Sequence, residues 1–362
     1  MQVASVRESV KEQYERHPFP PEDRRGLYIP HGEYLRQRVF GNNGVGKRVL
    51  EAGCGRGVMI TDIASVNPHP EYVCLDFCAE SVRQANEYRE RNLQVRPHLE
   101  RMQFVQGDIL NPQLEGGFDL VESWGVLHHT EDPEQAFKTI AAFLNSRGYI
   151  RIGVYGERGN EERRAQIRLI QSLVSGLPLD EKIKVTRAFM NTPDYKSGLC
   201  EPPLYHPNRC PKGRTPATDE EIVDEFLHSH EIHVPLREAV RWFEEASIDV
   251  LELTDWNNNP ISLDLKFHTC NPVEIGGFES LRVADKLITP EQAEVIDYHA
   301  KPYWIALLGR KRFKPTETER LETARRTENG GTTGHYGDDA EAYREGAKEY
   351  WQSQGIDTGK IS

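Results

Sequence analysis

From residue 48 to 155, short apolar runs alternate with amphipathic stretches, and this alternation leaves few folds open to the chain. The apolar runs are "RVLEAG" (48–53), "YVCLDF" (72–77), "MQFVQGD" (102–108), "FDLVESW" (118–124) and "YIRIGVY" (149–155). Helical periodicity is clearest between them at 79–92 and 133–145. The second helix opens at Asp132-Pro133, an N-cap acid followed by proline at the first helical position. Strands separated by helices are joined by right-handed crossovers, which build a mostly parallel sheet covered on both faces. The expected fold class is therefore α/β.

The flanking sequence divides by pattern. Residues 1–30 hold an amphipathic N-terminal helix and a lid, and 31–155 form the ligand-binding core. After Tyr155 the rhythm breaks. Residues 156–234 read as a helical insertion, with helices near 161–176 and 218–230 around the proline-rich "GLCEPPLYHPNRCPKGRTP". Such an insertion at a sheet edge suits a substrate cap. A helix at 235–246 and strands at 248–254 and 303–309 return the chain to the core, so 235–312 is its C-terminal part. Residues 313–362 are charged and dotted with glycine, "NGGTTGHYGDD", and read as disordered. Within that tail Ala340, Tyr343, Ala347 and Tyr350 share one helical face beside Trp351, a surface for the body or a partner.

Bulk properties exclude several classes. A net charge of -12 argues against a protein that grips nucleic acid through its phosphates. The start, "MQVASVRESVKEQYER", lacks the apolar segment of a signal peptide, and no run of 18 apolar residues would span a membrane. Six cysteines without a framework pattern read as reduced thiols, so the expected compartment is the cytoplasm. Cys200, His206 and Cys210 match no tight metal knuckle, and "HSHEIH" (228–233) lacks the H-E-x-x-H order and reads as a helix end. No metal is expected.

The stretch "VLEAGCGRG" (49–57) is the strongest local motif. A phosphate loop would need Ser or Thr after its lysine, yet "GNNGVGKR" (41–48) ends in Arg48 and precedes the first strand. A dinucleotide fingerprint fails as well, because Val58 or Ile60 stands where the third glycine belongs. What remains is Glu51, Gly53, Gly55 and Gly57 at a strand's C-terminal end. The glycines admit a close backbone approach, and the carboxylate would repel a pyrophosphate while attracting a cation.

Together these features resemble the class I S-adenosylmethionine-dependent methyltransferases, whose Rossmann-like sheet is mostly parallel with helices on both faces. The resemblance runs along residues 48–155. It implies S-adenosyl-L-methionine as cofactor, with Glu51, Gly53, Gly55 and Gly57 at its methionine end. It also implies that Asp76 accepts both ribose hydroxyls, that Phe77 and Ile109 flank adenine, and that Asp108 receives the adenine amino group. "ESWGVLHHTEDP" (122–133) would place Ser123 and Trp124 along the methionine part. His128 and His129 are candidates for a general base, and equally suit capping and packing of the loop before Asp132. "YERHPFPP" (14–21) resembles the lid of some relatives, in which Tyr14 and His17 face the substrate. The implied reaction is in-line methyl transfer to a small organic acceptor, chosen by the insertion, by "DWNNNPISLDLK" (255–266) and by the loop after strand four. An RNA or protein methyltransferase and a non-catalytic cofactor-binding protein are the alternatives; "ESWG" in place of an "NPPY"-like tetrad weighs against amino-group methylation of bases. A protein partner or second copy would dock through the insertion or tail. Deleting residues 320–362 is expected to leave one cooperative melting transition, measured by circular dichroism, because no core pattern enters the tail.

Overall fold

A computed structural model describes residues 5–41, 44–191, 218–261 and 289–312. The proline-rich centre of the insertion with Cys200, His206 and Cys210, residues 262–266 of the "DWNNNPISLDLK" segment, and the tail lie outside the described residues. Residues 1–310 make one compact unit, and 311–362 a second.

Each expected apolar run is a strand: β1 Arg48–Ala52, β2 Glu71–Asp76, β3 Met102–Gln106, β4 Phe118–Trp124, β5 Leu144–Tyr155, β6 Ile248–Thr254 and β7 Trp304–Lys311. They form one sheet in the order β3-β2-β1-β4-β5-β7-β6. Strands β1 to β5 pair in parallel, whereas β7 runs antiparallel to β5 from Tyr149↔Arg310 to Tyr155↔Trp304. The strand order reverses between β1 and β4. Crossovers leave these two strands on opposite faces, which opens a crevice beyond their carboxyl ends.

Two layers of side chains cover the sheet. On one face α2 (Ile29–Leu35), α3 (Val58–Val66) and α4 (Ala79–Asn92) enclose Val49, Cys74, Leu120 and Ile63. On the other, α5 (Pro133–Ala142), α9 (Leu236–Glu245) and α10 (Pro290–Ala300) enclose Leu50, Val121, Phe137, Phe243 and Leu307. Helix α5 starts as its sequence demands: Asp132 Oδ1 accepts the N–H of Gln135 at 2.9 Å, with Pro133 at the first helical position. The N-terminal helix α1 (Val6–Arg16) is closed by a capping box between Ser5 and Glu8. Among the described residues no helix is long and apolar enough to cross a membrane.

The insertion carries its own small core. Helices α6 (Glu161–Leu173), α7 (Leu179–Met190) and α8 (Asp219–Phe226) bury Ile170, Ile183, Met190, Ile222, Val223 and Phe226 together. Helix α7 has no counterpart in the pattern read from sequence. The helix expected over 218–230 stops at Phe226, and "HSHEIH" is an extended segment rather than a helix end. Its backbone finds better partners elsewhere: Ser229 N–H donates to Gln13 Oε1 (2.7 Å), Ile232 N–H to the His128 carbonyl (2.8 Å) and Val234 N–H to the Tyr155 carbonyl (2.8 Å). At the other boundary, α2 begins before the expected core start at residue 31 and is tied to α3, where Asn67 Nδ2 donates to the Gly32 carbonyl at 2.9 Å.

Phe243 is fully buried and fits against Gly309, where an added Cβ would come within 2.6 Å of its ring. Phe243→Ala is expected to lower unfolding stability by about 3–5 kcal/mol in urea titrations, since the cavity left behind has rigid walls.

Candidate active site

The turn after β1 begins at the crevice. Gly53 and Cys54 donate their N–H groups to the Leu75 carbonyl at 2.7 and 3.0 Å, which ties the turn to β2. Gly55 has φ +52°, and a Cβ there would lie 2.2 Å from the Phe19 carbonyl oxygen. Glycine is required because the N-terminal segment crosses directly over it. Gly57 differs in role. Its left-handed φ of +69° starts α3 and its vacant side faces the Phe104 ring, so it shapes the turn and does not line the cavity.

At the end of β2, Asp76 is held by two backbone donors, Gly55 N–H to Oδ2 (2.8 Å) and Cys78 N–H to Oδ1 (2.9 Å). Each oxygen keeps a lone pair for a ligand. Burial outweighs these bonds and pushes the carboxyl up to about 6. Phe77, Met59, Ile109 and Leu110 line the neighbouring apolar space. Asp108 lies beyond them; its Oδ1 accepts Leu110 N–H (2.9 Å) and its Oδ2 is ion-paired to Arg7 of α1.

Strand register sets a row of ionisable groups beneath the crevice. Glu51 stands opposite Glu122, and Glu122 opposite Arg151. Arg151 Nη1 donates to Glu122 Oε1 at 2.8 Å, with both side chains inaccessible to solvent. Its other amino group reaches His31 Nδ1 (3.0 Å) and Asn258 Oδ1, and the guanidinium lies 4.0 Å from the Trp124 ring centre. Glu51 receives no such cation. Burial first, then the Glu122 charge, raises its carboxyl well above the ordinary range, and among the described residues its Oε2 has no hydrogen-bond partner.

Trp124, Trp256 and Trp304 continue the wall, their ring centres 4.7 to 5.4 Å apart. Ser123 is not part of it. Neighbours on a strand point to opposite sides, and Ser123 is buried with its Oγ donating to the Ala52 carbonyl at 2.9 Å. The expected ligand contact by Ser123 is therefore replaced by a strand-to-strand tie.

Helix α1 roofs the cavity with Arg7, Val10 and Tyr14, spaced along one helical face. Glu15 fastens it by accepting the free N–H groups of Ala79 (2.8 Å) and Glu80 (3.0 Å) at the start of α4. Arg24 then pairs with Glu221 of α8 at 2.6 Å. The cavity so enclosed has an empty volume of about 1260 Å³ with its open mouth included.

His128 and His129 lie on a short turn at the inner end. Among the described residues both nitrogens of His128 lack partners although the residue is fully buried, and burial holds it neutral. His129 Nδ1 donates to the His230 carbonyl (3.1 Å), and burial lowers it to about 4. Tyr14 lies across from them with its hydroxyl committed: Asp224 Oδ1 is 3.1 Å away and His228 Nε2 3.0 Å. His129, Asp224 and His228 offer ligand atoms within 4.8 Å of one another. Yet the two imidazoles are stacked, centres 3.8 Å apart and planes 22° apart, so their in-plane lone pairs run side by side and do not converge on one ion. His17 is not among the lining residues.

The sequence reading missed Asp224, His228, Trp304 and Arg151. Asp224 had no signal, because an acid on an amphipathic helix reads as surface, and His228 was read only as part of a helix end in "HSHEIH". Arg151 had one: a charged residue inside the apolar run "YIRIGVY".

Residues 43–189 match the family model for a methyltransferase domain. That stretch carries a methyltransferase domain. An uncharacterized protein of Synechococcus sp. is 27% identical over 271 residues, 69% of this chain and 61% of that protein. The malonyl-[acyl-carrier protein] O-methyltransferase of Bacteroides fragilis is 29% identical over 119 residues, 33% of this chain and 22% of that enzyme. The chain thus spans less than two thirds of the length of these relatives. The structure of PKMT2 from Rickettsia typhi in complex with AdoHcy is similar with a TM-score of 0.54 at 13% identity, covering 81% of this chain and 55% of that one. At that identity the likeness is one of fold.

The crevice fits S-adenosylmethionine as its cofactor. The partnerless Glu51 oxygen suits an ammonium, and the spare lone pairs of Asp76 suit two ribose hydroxyls. Asp76 at about 6 and Asp224 at about 7 hold protons more tightly than unfolded carboxylates near 4. These carboxyls contribute stability that is present near pH 5 and lost as pH rises through about 6 and 7, whereas the neutral His128 and His129 contribute in the opposite sense. The carboxyl part is isolated by comparison with Glu51→Gln, which is expected to gain melting temperature relative to wild type from pH 5 to pH 8, because wild type alone loses the contribution of a proton held on Glu51; a difference that does not change with pH by calorimetry would contradict the raised carboxyl.

Proposed function

We propose that this chain transfers a methyl group from S-adenosylmethionine to a small organic molecule by in-line displacement. One observation carries the reading: a single roofed cavity joins an acidic end at β1 and β2 to an aromatic end beneath α1 and the insertion. When bound, the cofactor supplies an electrophilic methyl group on a sulfonium.

The chain's own residues do the rest. Glu51 neutralises the cofactor's ammonium, which offsets the cost of its own burial. Asp76 takes the ribose hydroxyls on oxygens already oriented by Gly55 and Cys78. Phe77, Met59 and Ile109 flank the base, and Asp108 faces its amino edge while holding Arg7 of the roof. Trp124 and its indole neighbours fix the methionine end and the acceptor against one wall, which aligns the reacting atoms. The roof keeps out water, a competing nucleophile. A small acceptor is favoured over RNA or protein because α1 is latched on both sides of the opening, by Glu15 to α4 and by Gln13 to Ser229. The cytoplasm is the compartment we assign, in keeping with Cys54, Cys74 and Cys78 as buried free thiols.

Calorimetric titration with S-adenosylhomocysteine tests the cofactor end. Asp76→Ala is expected to weaken binding by about 2–4 kcal/mol, the loss of two buried hydrogen bonds. Methyl-labelled S-adenosylmethionine incubated with cell extract tests the acceptor: label is expected in the small-molecule fraction. Label confined to macromolecules would overturn the acceptor class.

A further inference from the structure

The acceptor end of the cavity is charged in one direction. Asp224 and Glu131 line it together with Tyr155, Trp256 and Trp304. Among the described residues the arginines lining the cavity are already ion-paired, Arg7 with Asp108 and Arg24 with Glu221. A carboxylate acceptor would meet acids without a counter-cation. A protonated amine would meet a carboxylate and the faces of indole rings, both of which attract it.

Hydrogen-bond directions around Asp224 sharpen this. His228 Nδ1 accepts the N–H of His230 at 3.0 Å, so the proton of a neutral ring sits on Nε2. Nε2 therefore donates to Tyr14 Oη, and the tyrosine's own proton is turned to Asp224 Oδ1. Tyr14 is thereby a donor and not a base. Among the described residues it is the sole hydrogen-bond partner of the Asp224 carboxylate, whose Oδ2 stays available although the residue is only 8% exposed. His128 also lines the cavity, fully buried and, among the described residues, without a hydrogen-bond partner at either ring nitrogen. Burial makes His128 and His129 poor proton acceptors, whereas it raises Asp224 to about 7.

We propose that Asp224 is a catalytic residue that anchors a protonated amine of the acceptor and takes its proton, with Tyr14 and His228 as positioning residues. The inference rests on the methyltransferase reading and names the acceptor class. The ammonium gives one proton to Asp224, and the freed nitrogen lone pair forms a C–N bond to the methyl carbon. The methyl's C–S bond breaks as this happens, and the bonding pair stays on sulfur, which becomes a neutral thioether. Product leaves as a methylated ammonium, and Asp224 passes its proton to water. Among the described residues the charged or titratable groups around Asp224 are Tyr14 of α1, Arg24 of the following segment, His129 of the turn after β4, Glu225 of α8, and His228 and Glu231 of the segment after it.

Three probes sharing one ring separate the outcomes: phenethylamine, 2-phenylethanol and phenylacetate, titrated by NMR into protein saturated with S-adenosylhomocysteine. Phenethylamine is expected to bind at least about tenfold more tightly than the other two. Asp224→Asn should erase that preference while leaving S-adenosylhomocysteine affinity unchanged, which also shows that the variant is folded. Tyr14→Phe should keep the preference but raise the pH at which amine binding appears, because the carboxylate loses its donor. Equal or tighter binding of either other probe, no detectable phenethylamine binding, or an undiminished preference in Asp224→Asn overturns the proposal. Failure of S-adenosylhomocysteine to bind wild-type protein removes the methyltransferase reading and this inference together; its normal binding without an amine preference removes this inference alone.

Discussion

A buried row of unequal charge runs across the centre of the sheet, and the site is organised around it. Glu51, Glu122 and Arg151 stand in register on β1, β4 and β5, two acids against one guanidinium. Arg151 is spent on Glu122, and His31, Asn258 and the Trp124 ring absorb its remaining valences. Breaking a pair this deep costs on the order of 3–5 kcal/mol, because one charge is stranded in a dry interior. The surplus negative charge falls on Glu51, at the mouth of the glycine turn. Such an arrangement is unfavourable in the empty protein and favourable once a cation arrives, which links the sheet's electrostatics directly to ligand choice.

The second organising feature is the way one helix joins three parts of the molecule. Helix α1 places Glu15 on the exposed N–H groups of α4, Gln13 on the extended segment after α8, and Tyr14 on Asp224 and His228. The contacts come from three consecutive residues, which a helix fans out through about 200°. Roof, core and insertion are thus held by polar bonds, while the core and the insertion each have separate apolar packing. Polar latches of this kind release at low cost when water replaces them. That suits a cavity that must open for acceptor entry and close for transfer.

Particular residues show why reading a site from sequence succeeds at some positions and fails at others. That Glu51, Asp76 and Asp108 line one cavity was legible because each lies at or just past the carboxyl end of a strand, and those ends gather at one edge of a parallel sheet. Ser123 was misplaced for a related reason: strand position sets depth along the edge, while the pleat sets the side, and one residue reverses it. The extended "HSHEIH" segment escaped helical expectation because Gln13, His128 and Tyr155, all distant in the chain, bid for its backbone. Asp224 was invisible. An acid on a helix reads as solvated until the tertiary fold removes the water.

By itself the sequence determined the alternating strands and helices, the glycine turn with its acid, and so the fold and the kind of ligand its crevice suits. These follow from local periodicity and from steric limits on the backbone, which act over a few residues and leave their mark in the order of residue types. Only the tertiary structure decided which groups meet at the aromatic end of the cavity. Tyr14 and Asp224 are 210 positions apart, and Trp124, Trp256 and Trp304 come from the ends of different strands or the loop after one. Their meeting depends on how helices pack over the sheet and on which polar groups lose water when they do, and burial of that kind is a property of the assembled chain.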